Sequence, residues 1–295
     1  GRLQSRPRRF APVAAAATAE RWTRPGMLID LHTHTQPLSY DSFLHPDDLV
    51  ERSRQAGLDA VVLSEHDWAW DPEAVLALAK RHDYPIWAGI EINTEDGHML
   101  AYGLHEYIYG MHRAHELAGH VERFDGVMVA AHPYRRQMPW RWDDEQEYLD
   151  ALGRAESNDA YRFVAGLEVL NGRGTMKENS FAQRLAREMG MPGTGGTDSH
   201  QRTDIGKTAT YFERDIRSEQ ELIEEIRGGR FWAVDLTGGE LTEDATRYAV
   251  PDAVGAIWTA EAALRRERES AGTPEFRDRP AGHPHVHTAA DAHSG

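Results

Sequence analysis

Five apolar runs of this chain break off into histidines and carboxylates. The fragments are Asp30-Leu31-His32-Thr33-His34, Glu65-His66-Asp67, Gly89-Ile90-Glu91, Ala131-His132-Pro133 and Thr197-Asp198-Ser199-His200. A lone HxH carries little information. Metal-ligand types recurring at one run end after another constrain the fold much more, because the run ends must then meet around a shared site. The pattern points to a polynuclear metal cluster.

The intervening sequence says what could bring these ends together. Strand-like runs occupy 27–30, 60–63, 86–92, 99–104, 127–131, 166–170 and 192–195. Between most of them lie amphipathic stretches with helical spacing, at 46–56, 72–80, 109–123, 144–155 and 180–189. Such alternation indicates a parallel sheet with crossover helices, closed into a barrel. Residues 93–97 are too few for a crossover helix, so the runs on either side are expected to be joined by a tight loop or hairpin. Runs at 209–212 and 231–236, with a helix at 218–227 between them, complete or cap the sheet. The expected organisation is a barrel domain over 27–238, an extension with one helix over 239–270, and a disordered tail over 271–295, rich in Pro, Gly and His.

Lys plus Arg number 33 and Asp plus Glu 48, a formal net charge of −15. That field repels polyanions and argues against stable duplex nucleic-acid or acidic-membrane binding. A small phosphorylated substrate reaching a local group of cations remains compatible with it. The chain has no Cys, so any metal must be held by His and carboxylate. No apolar run approaches the roughly 20 residues that span a bilayer. Residues 1–26 read as a disordered or expression-derived extension, since the apolar stretch that an export signal needs is broken by Pro12 and holds little larger than Ala or Val. A cytoplasmic location is expected.

In a parallel barrel the C-terminal strand ends gather on one face. His32 and His34, two apart on a strand, project to the same side. They can bind one ion, with Glu91 and Asp198 completing a mixed nitrogen and oxygen shell suited to Zn, Mn or Fe. Asp198 and His200 can serve neighbouring ions, with Asp41 and His66 completing a second site. Glu91, bridging, could hold a third with His98 and His132.

Together these segments resemble the PHP (polymerase and histidinol phosphatase) family, whose pattern is DxHxH, (D/E)HD, GxE, HP and a final D-x-H. The resemblance runs from about Met27 to Leu236. It implies a distorted (β/α)7 barrel with the metal cluster at the C-terminal strand ends and two to three divalent ions. Carried over by position, His32, His34, Glu91 and Asp198 match the first metal site. Asp41, His66 and His200 match the second, and Glu91, His98 and His132 the third. Asn171 in Glu168-Val169-Leu170-Asn171 resembles an EVxN run of stand-alone hydrolases in the family. One departure concerns Asp41, which lies in Leu38-Ser39-Tyr40-Asp41-Ser42 where the family often has Asp-Gly. His105 competes with His98 for the third site.

The implied activity is metal-dependent hydrolysis of phosphoesters by metal-bound hydroxide. The substrate would be a small phosphorylated molecule, including a nucleotide or short oligonucleotide; histidinol-phosphate phosphatase is a further family activity. Asp30 and Asp67 read as carboxylates that orient the histidines, or equally as loop caps. Arg135 or Arg136, Arg173 and Lys207 are candidates to grip a phosphoryl group, against the plainer reading of solvated surface. Trp68, Trp70, Trp140 and Trp142 follow ligand-bearing strands and could stack on an aromatic substrate or simply pack loops. His112, His115 and His120 read as surface positions of a helix, and the tail His283, His285, His287 and His293 as a weak metal-binding tract. The rivals are a hydrolase of non-phosphate esters or carbamates on the same metal core, and a non-catalytic binding module. The full complement of ligand positions speaks against the module.

Overall fold

The computed structural model describes residues 26–137 and 143–237. The expected extension before residue 26, the helix at 252–270, the tail with its histidines, Trp140, Trp142 and the Arg136 side chain lie outside the described residues.

Among the described residues, nine strands and six helices follow one another. They are β1 (Met27–Thr33), α1 (Pro46–Gln55), β2 (Ala60–His66), α2 (Pro72–His82), β3 (Ile86–Thr94), β4 (Gly97–Tyr102), α3 (Ala114–Arg123), β5 (Val127–Ala130), α4 (Glu145–Glu156), β6 (Gly166–Asn171), α5 (Met176–Met189), β7 (Gly193–Gly196), β8 (Thr208–Phe212), α6 (Glu219–Arg227) and β9 (Phe231–Asp235). Short 3-10 turns at Arg135–Gln137 and Asp159–Phe163 flank α4.

The helix ends follow local chemistry. Asp71 accepts the Ala74 amide at the start of α2, and Thr175 and Glu178 form a reciprocal capping box on α5. That box starts α5 at Met176, one turn before the residue 180 that apolar spacing suggests, because the added turn is polar. The helix expected over 109–123 starts only at Ala114. Gly110, with φ 102°, sits in a left-handed region that a helix cannot continue through.

The strands form one sheet in the order β7-β6-β5-β4-β3-β2-β1-β8-β9. The pairs β1–β2, β2–β3, β5–β6 and β6–β7 are parallel. β4 runs against both β3 and β5, and β8 against both β1 and β9. Seven strands therefore share one direction and two are reversed. The expected hairpin is there, with Thr94 paired to Gly97. Leu49, Val50, Leu63, Val75 and Leu78 pack under α1 and α2, and Leu117, Val121, Met128, Phe181 and Leu185 under α3 and α5. Each such side chain contributes about 1.5–3 kcal/mol on burial.

The sheet curls until β7 meets β1, β8 and β9. The Gly195 amide donates to Thr210 Oγ1 at 2.9 Å, and the Thr208 hydroxyl to the Gly196 carbonyl at 2.6 Å. Beyond β7, Thr33 and Ser199 form a parallel bridge, the Asp198 amide donates to the His32 carbonyl at 2.7 Å, and the His34 amide to the Ser199 carbonyl at 3.0 Å. This approach requires glycine: a Cβ on Gly196 would fall 2.5 Å from the Cβ of His32. The barrel is thus nearly closed, and its seam lies where the ligand-bearing ends of β1 and β7 meet.

Candidate metal centre

The ends of β1, β2, β5 and β7, the β3–β4 hairpin and the loop after β1 deliver the predicted His and acid residues to one place. His32 and His34 are fully buried, as are Glu91 and Asp198 to within a few per cent. Groups of donor atoms within 4.8 Å of one another are His32, His34 and Glu91; His34, His66 and His200; His32, His132 and Asp198; and Glu91, His98 and His132.

Glu91 is the centre of this arrangement. Its Oε1 lies 2.8 Å from His98 Nδ1 and 3.0 Å from His132 Nε2, while Oε2 lies 2.9, 3.2 and 3.4 Å from His66 Nδ1, His34 Nε2 and His32 Nε2. One carboxylate thus faces two separate sets of imidazoles, one with each oxygen. Asp198 is divided differently. Its Oδ2 accepts from Arg135 Nη1 at 2.9 Å and Asn171 Nδ2 at 3.2 Å, leaving Oδ1 turned toward His34 and His32, 3.5 and 3.8 Å from their Nε2 atoms. Asp41 sits at the open edge, 3.1 Å from His200 Nε2 and 3.5 Å from His66 Nε2.

The donor set fits divalent cations. A carboxylate only accepts, so in the neutral ring of His32 the proton sits on Nδ1, 2.9 Å from Glu168 Oε1, and Nε2 is the bare nitrogen that a cation would meet. That bare nitrogen stands 3.0 Å from His34 Nε2, among oxygens of Glu91 and Asp198, out of reach of solvent. Nitrogens and carboxylate oxygens crowded in this way are favourable only around positive charge. The titration behaviour has the same origin. Burial alone would lower the histidines, yet Glu168, Glu91 and Asp198 hold His32 well above its ordinary value, and Asp198 and Glu91 raise His34 to about 9. Glu91 and Asp198 are held well below the carboxylate range, burial being overcome by His32 and its neighbours.

The remaining candidates are placed variously. Asp30 is bonded to backbone amides and a hydroxyl. Its carboxylate accepts from the Thr197 amide and hydroxyl, at 2.9 and 2.5 Å, and from the His32 amide at 3.2 Å, tying β1 to the end of β7. Burial raises its pKa to about 7. Asp67, with φ 50°, accepts the Asn93 amide at 3.0 Å and so braces β2 against β3. Arg173 is half-exposed, its Nη1 2.7 Å from His200 Nδ1. Lys207 is engaged with Asp204 at 3.1 Å. His105 pairs with Glu219 at 3.2 Å and is absent from the donor groups, whereas His98 is part of them. Trp68 is exposed, and the Trp70 indole donates to Glu65 at 2.7 Å.

Glu168 is a residue that ligand spacing did not single out. It receives His32 Nδ1, the His132 amide at 2.8 Å and Asn171 Nδ2 at 2.9 Å. Its signal was an acid in the middle of the apolar strand β6, where solvent cannot reach it. Beside the cluster lies a cavity of about 590 Å³, whose lining includes Asn93, Asp96, Tyr134, Asn158 and Tyr161 together with Arg135, Arg173 and the clustered histidines and acids.

Comparison with known proteins agrees with this architecture. Among solved structures, a two-domain protein from Bacteroides vulgatus, described as containing a predicted PHP-like metal-dependent phosphoesterase, superposes with a TM-score of 0.51 at 20% identity, over 78% of this chain and 70% of that one. PsfC from Pseudomonas syringae gives 0.49 at 17% identity, over 83% and 99% of the two chains. An amidohydrolase from Chromobacterium violaceum, with bound sulfate and no metal, gives 0.47 at 16%, over 70% and 97%. No curated protein matches the sequence. Family models match a PHP domain over residues 30–167 and a PHP-associated segment over 177–231. The matched segments contain all of the clustered histidines and acids, and the chain belongs to the PHP family.

Proposed function

We propose that this chain is a metal-dependent phosphoesterase acting on a small phosphorylated molecule, of the size of a nucleotide or short oligonucleotide, with Mn, Zn or Fe as the ions. The observation that carries the reading is Glu91, whose two oxygens face separate imidazole sets beside a pair of guanidinium groups. His32, His34, Glu91 and Asp198 would hold one ion, Asp41, His66 and His200 a second, and Glu91, His98 and His132 a third. When bound, such ions supply Lewis acidity toward phosphoryl oxygens and activate water as the nucleophile.

The chain's own residues bind and orient. Arg173, half-exposed in the cavity wall, can present its fork to two phosphoryl oxygens at once. Arg135 and Asn171 hold Asp198 by one oxygen, and Glu168 holds His32 by Nδ1, which fixes the atoms that face the cluster. The cavity beyond leaves room for the alcohol that departs. The net charge of −15 favours a small substrate over duplex nucleic acid. The unit proposed to carry the reaction is the barrel, 27–238.

Purified protein supplied with Mn²⁺ should hydrolyse p-nitrophenyl phosphate or bis-p-nitrophenyl phosphate faster than p-nitrophenyl acetate. Hydrolysis of the acetate alone would overturn the phosphoesterase reading and favour a carboxylic-ester or carbamate hydrolase on the same core. A panel including 3′,5′-bisphosphorylated nucleotides, short oligonucleotides and histidinol phosphate then assigns the substrate.

A further inference from the structure

Glu65 is fully buried one residue before His66, yet no hydrogen bond joins its carboxylate to an imidazole. Its donors are the Thr35 amide at 2.7 Å, the Thr35 hydroxyl, the Ser39 hydroxyl at 2.5 Å and the Trp70 indole at 2.7 Å. Ser39 is the connection to the cluster. Its Oγ lies 3.1 Å from His34 Nδ1 and 3.3 Å from the His66 amide nitrogen.

The donor inventory fixes the direction of every bond in this chain. A carboxylate accepts only, so the single Ser39 proton points at Glu65. Toward His34 and the His66 amide the same oxygen must then accept. In the neutral ring that an ion would bind, His34 Nδ1 is therefore the protonated nitrogen, and Nε2, on the side of Glu91 and Asp198, presents its lone pair to the cluster. Without the carboxylate, the hydroxyl is free to rotate and donate to Nδ1. The imidazole proton would then sit on Nε2, where it blocks an ion.

We propose that Ser39 and Glu65 are positioning residues that set the tautomer of His34 and thereby the metal affinity of the site. The proposal rests on the metal reading above. It assigns a role to a hydroxyl in the loop after β1 and to the acid of the Glu65-His66-Asp67 fragment, neither of which is a ligand.

The test uses metal-stripped full-length protein titrated with Mn²⁺ by calorimetry, with circular dichroism melting of each metal-free variant as a check on the fold. Ser39→Ala should bind at least one Mn²⁺ about 10- to 100-fold more weakly, as loss of an outer partner of a ligand typically does. Glu65→Gln should do likewise; if it fails to fold, Ser39→Ala decides. Ser42→Ala is the control, since Ser42 lies in the same loop and bonds the His34 carbonyl at 2.8 Å rather than its ring. It should stay within about threefold of wild type, well short of the loss expected for an outer ligand partner. Unchanged affinity in Ser39→Ala, or an equal loss in Ser42→Ala, overturns the relay while leaving the metal reading intact. A wild-type protein that takes up no Mn²⁺ overturns both.

Discussion

Glu91 and Asp198 are both buried acids held well below their ordinary pKa by histidines, but their surroundings give them different work. Glu91 offers both oxygens to imidazoles, whereas Asp198 has one oxygen occupied by Arg135 and Asn171. Replacing a residue at the meeting point should therefore cost nearly everything. His66→Ala and Asp198→Ala should each fall below about 1% of wild-type turnover with the fold retained, measured by initial rates and circular dichroism. Near-wild-type rates in both variants would refute the metal assignment. Arg173→Ala should act on binding instead. Loss of a charge-assisted hydrogen bond of about 1.5–3 kcal/mol raises KM for p-nitrophenyl phosphate roughly 10- to 150-fold. The rate on p-nitrophenyl acetate should change far less, and equal losses on the two substrates would exclude phosphoryl recognition by Arg173.

Among the elements, α6 is held to the segments on either side of it by a buried acid outside the site. Glu225 accepts two bonds from Arg230, both at 2.9 Å, and one from Arg214 at 3.0 Å. Its pKa is lowered, first by Arg230, so it binds fewer protons folded than unfolded at mildly acidic pH. Its contribution is present in full above the ordinary glutamate range and is lost as pH falls through the lowered value. Glu225→Gln should cost about 1.5–3 kcal/mol at pH 7. The deficit against wild type should shrink on acidification, compared by urea midpoints at pH 7 and about pH 3. Gly196→Ala tests the seam. Its Cβ would collide with His32, so strand displacement there should cost about 1–3 kcal/mol or more and weaken metal uptake as well.

Much of this level was legible in the sequence because periodicity carries it: the alternation of strand and helix, and the hairpin enforced by a connection too short for a helix. The reversal of β8 was not, since a five-residue buried strand reads the same in either direction. Nor was the late start of α3, which a single left-handed Gly110 decides. In the site, the ligand types were legible because strand ends repeat them. Ser39 left no local pattern, and Glu65 and Glu168 showed only as acids in apolar runs, because the partners they bond across the fold are set by tertiary contact.

For the whole molecule, the cluster lies on the line where the barrel closes. His32 and His34 belong to one side of that seam, Asp198 and His200 to the other, and the sides are joined at this level by the Thr33–Ser199 bridge, two backbone hydrogen bonds and the bonds from Thr197 to the Asp30 carboxylate. Chelation should thus remove activity and also lower the melting temperature. At ion concentrations about 100-fold above Kd the bound state gains roughly 2.7 kcal/mol per site. For a barrel of this size that is on the order of 5–10 °C, read by calorimetry with and without chelator and reversed by Mn²⁺. An unchanged melting temperature would count against metal binding across the seam. The same ions that polarise a substrate would then act as rivets. Hydrogen exchange at the His34 and Asp198 amides should accelerate on chelation while the β2–β3 ladder stays protected, so that the loaded and stripped proteins differ at one stitch line and not throughout the weave.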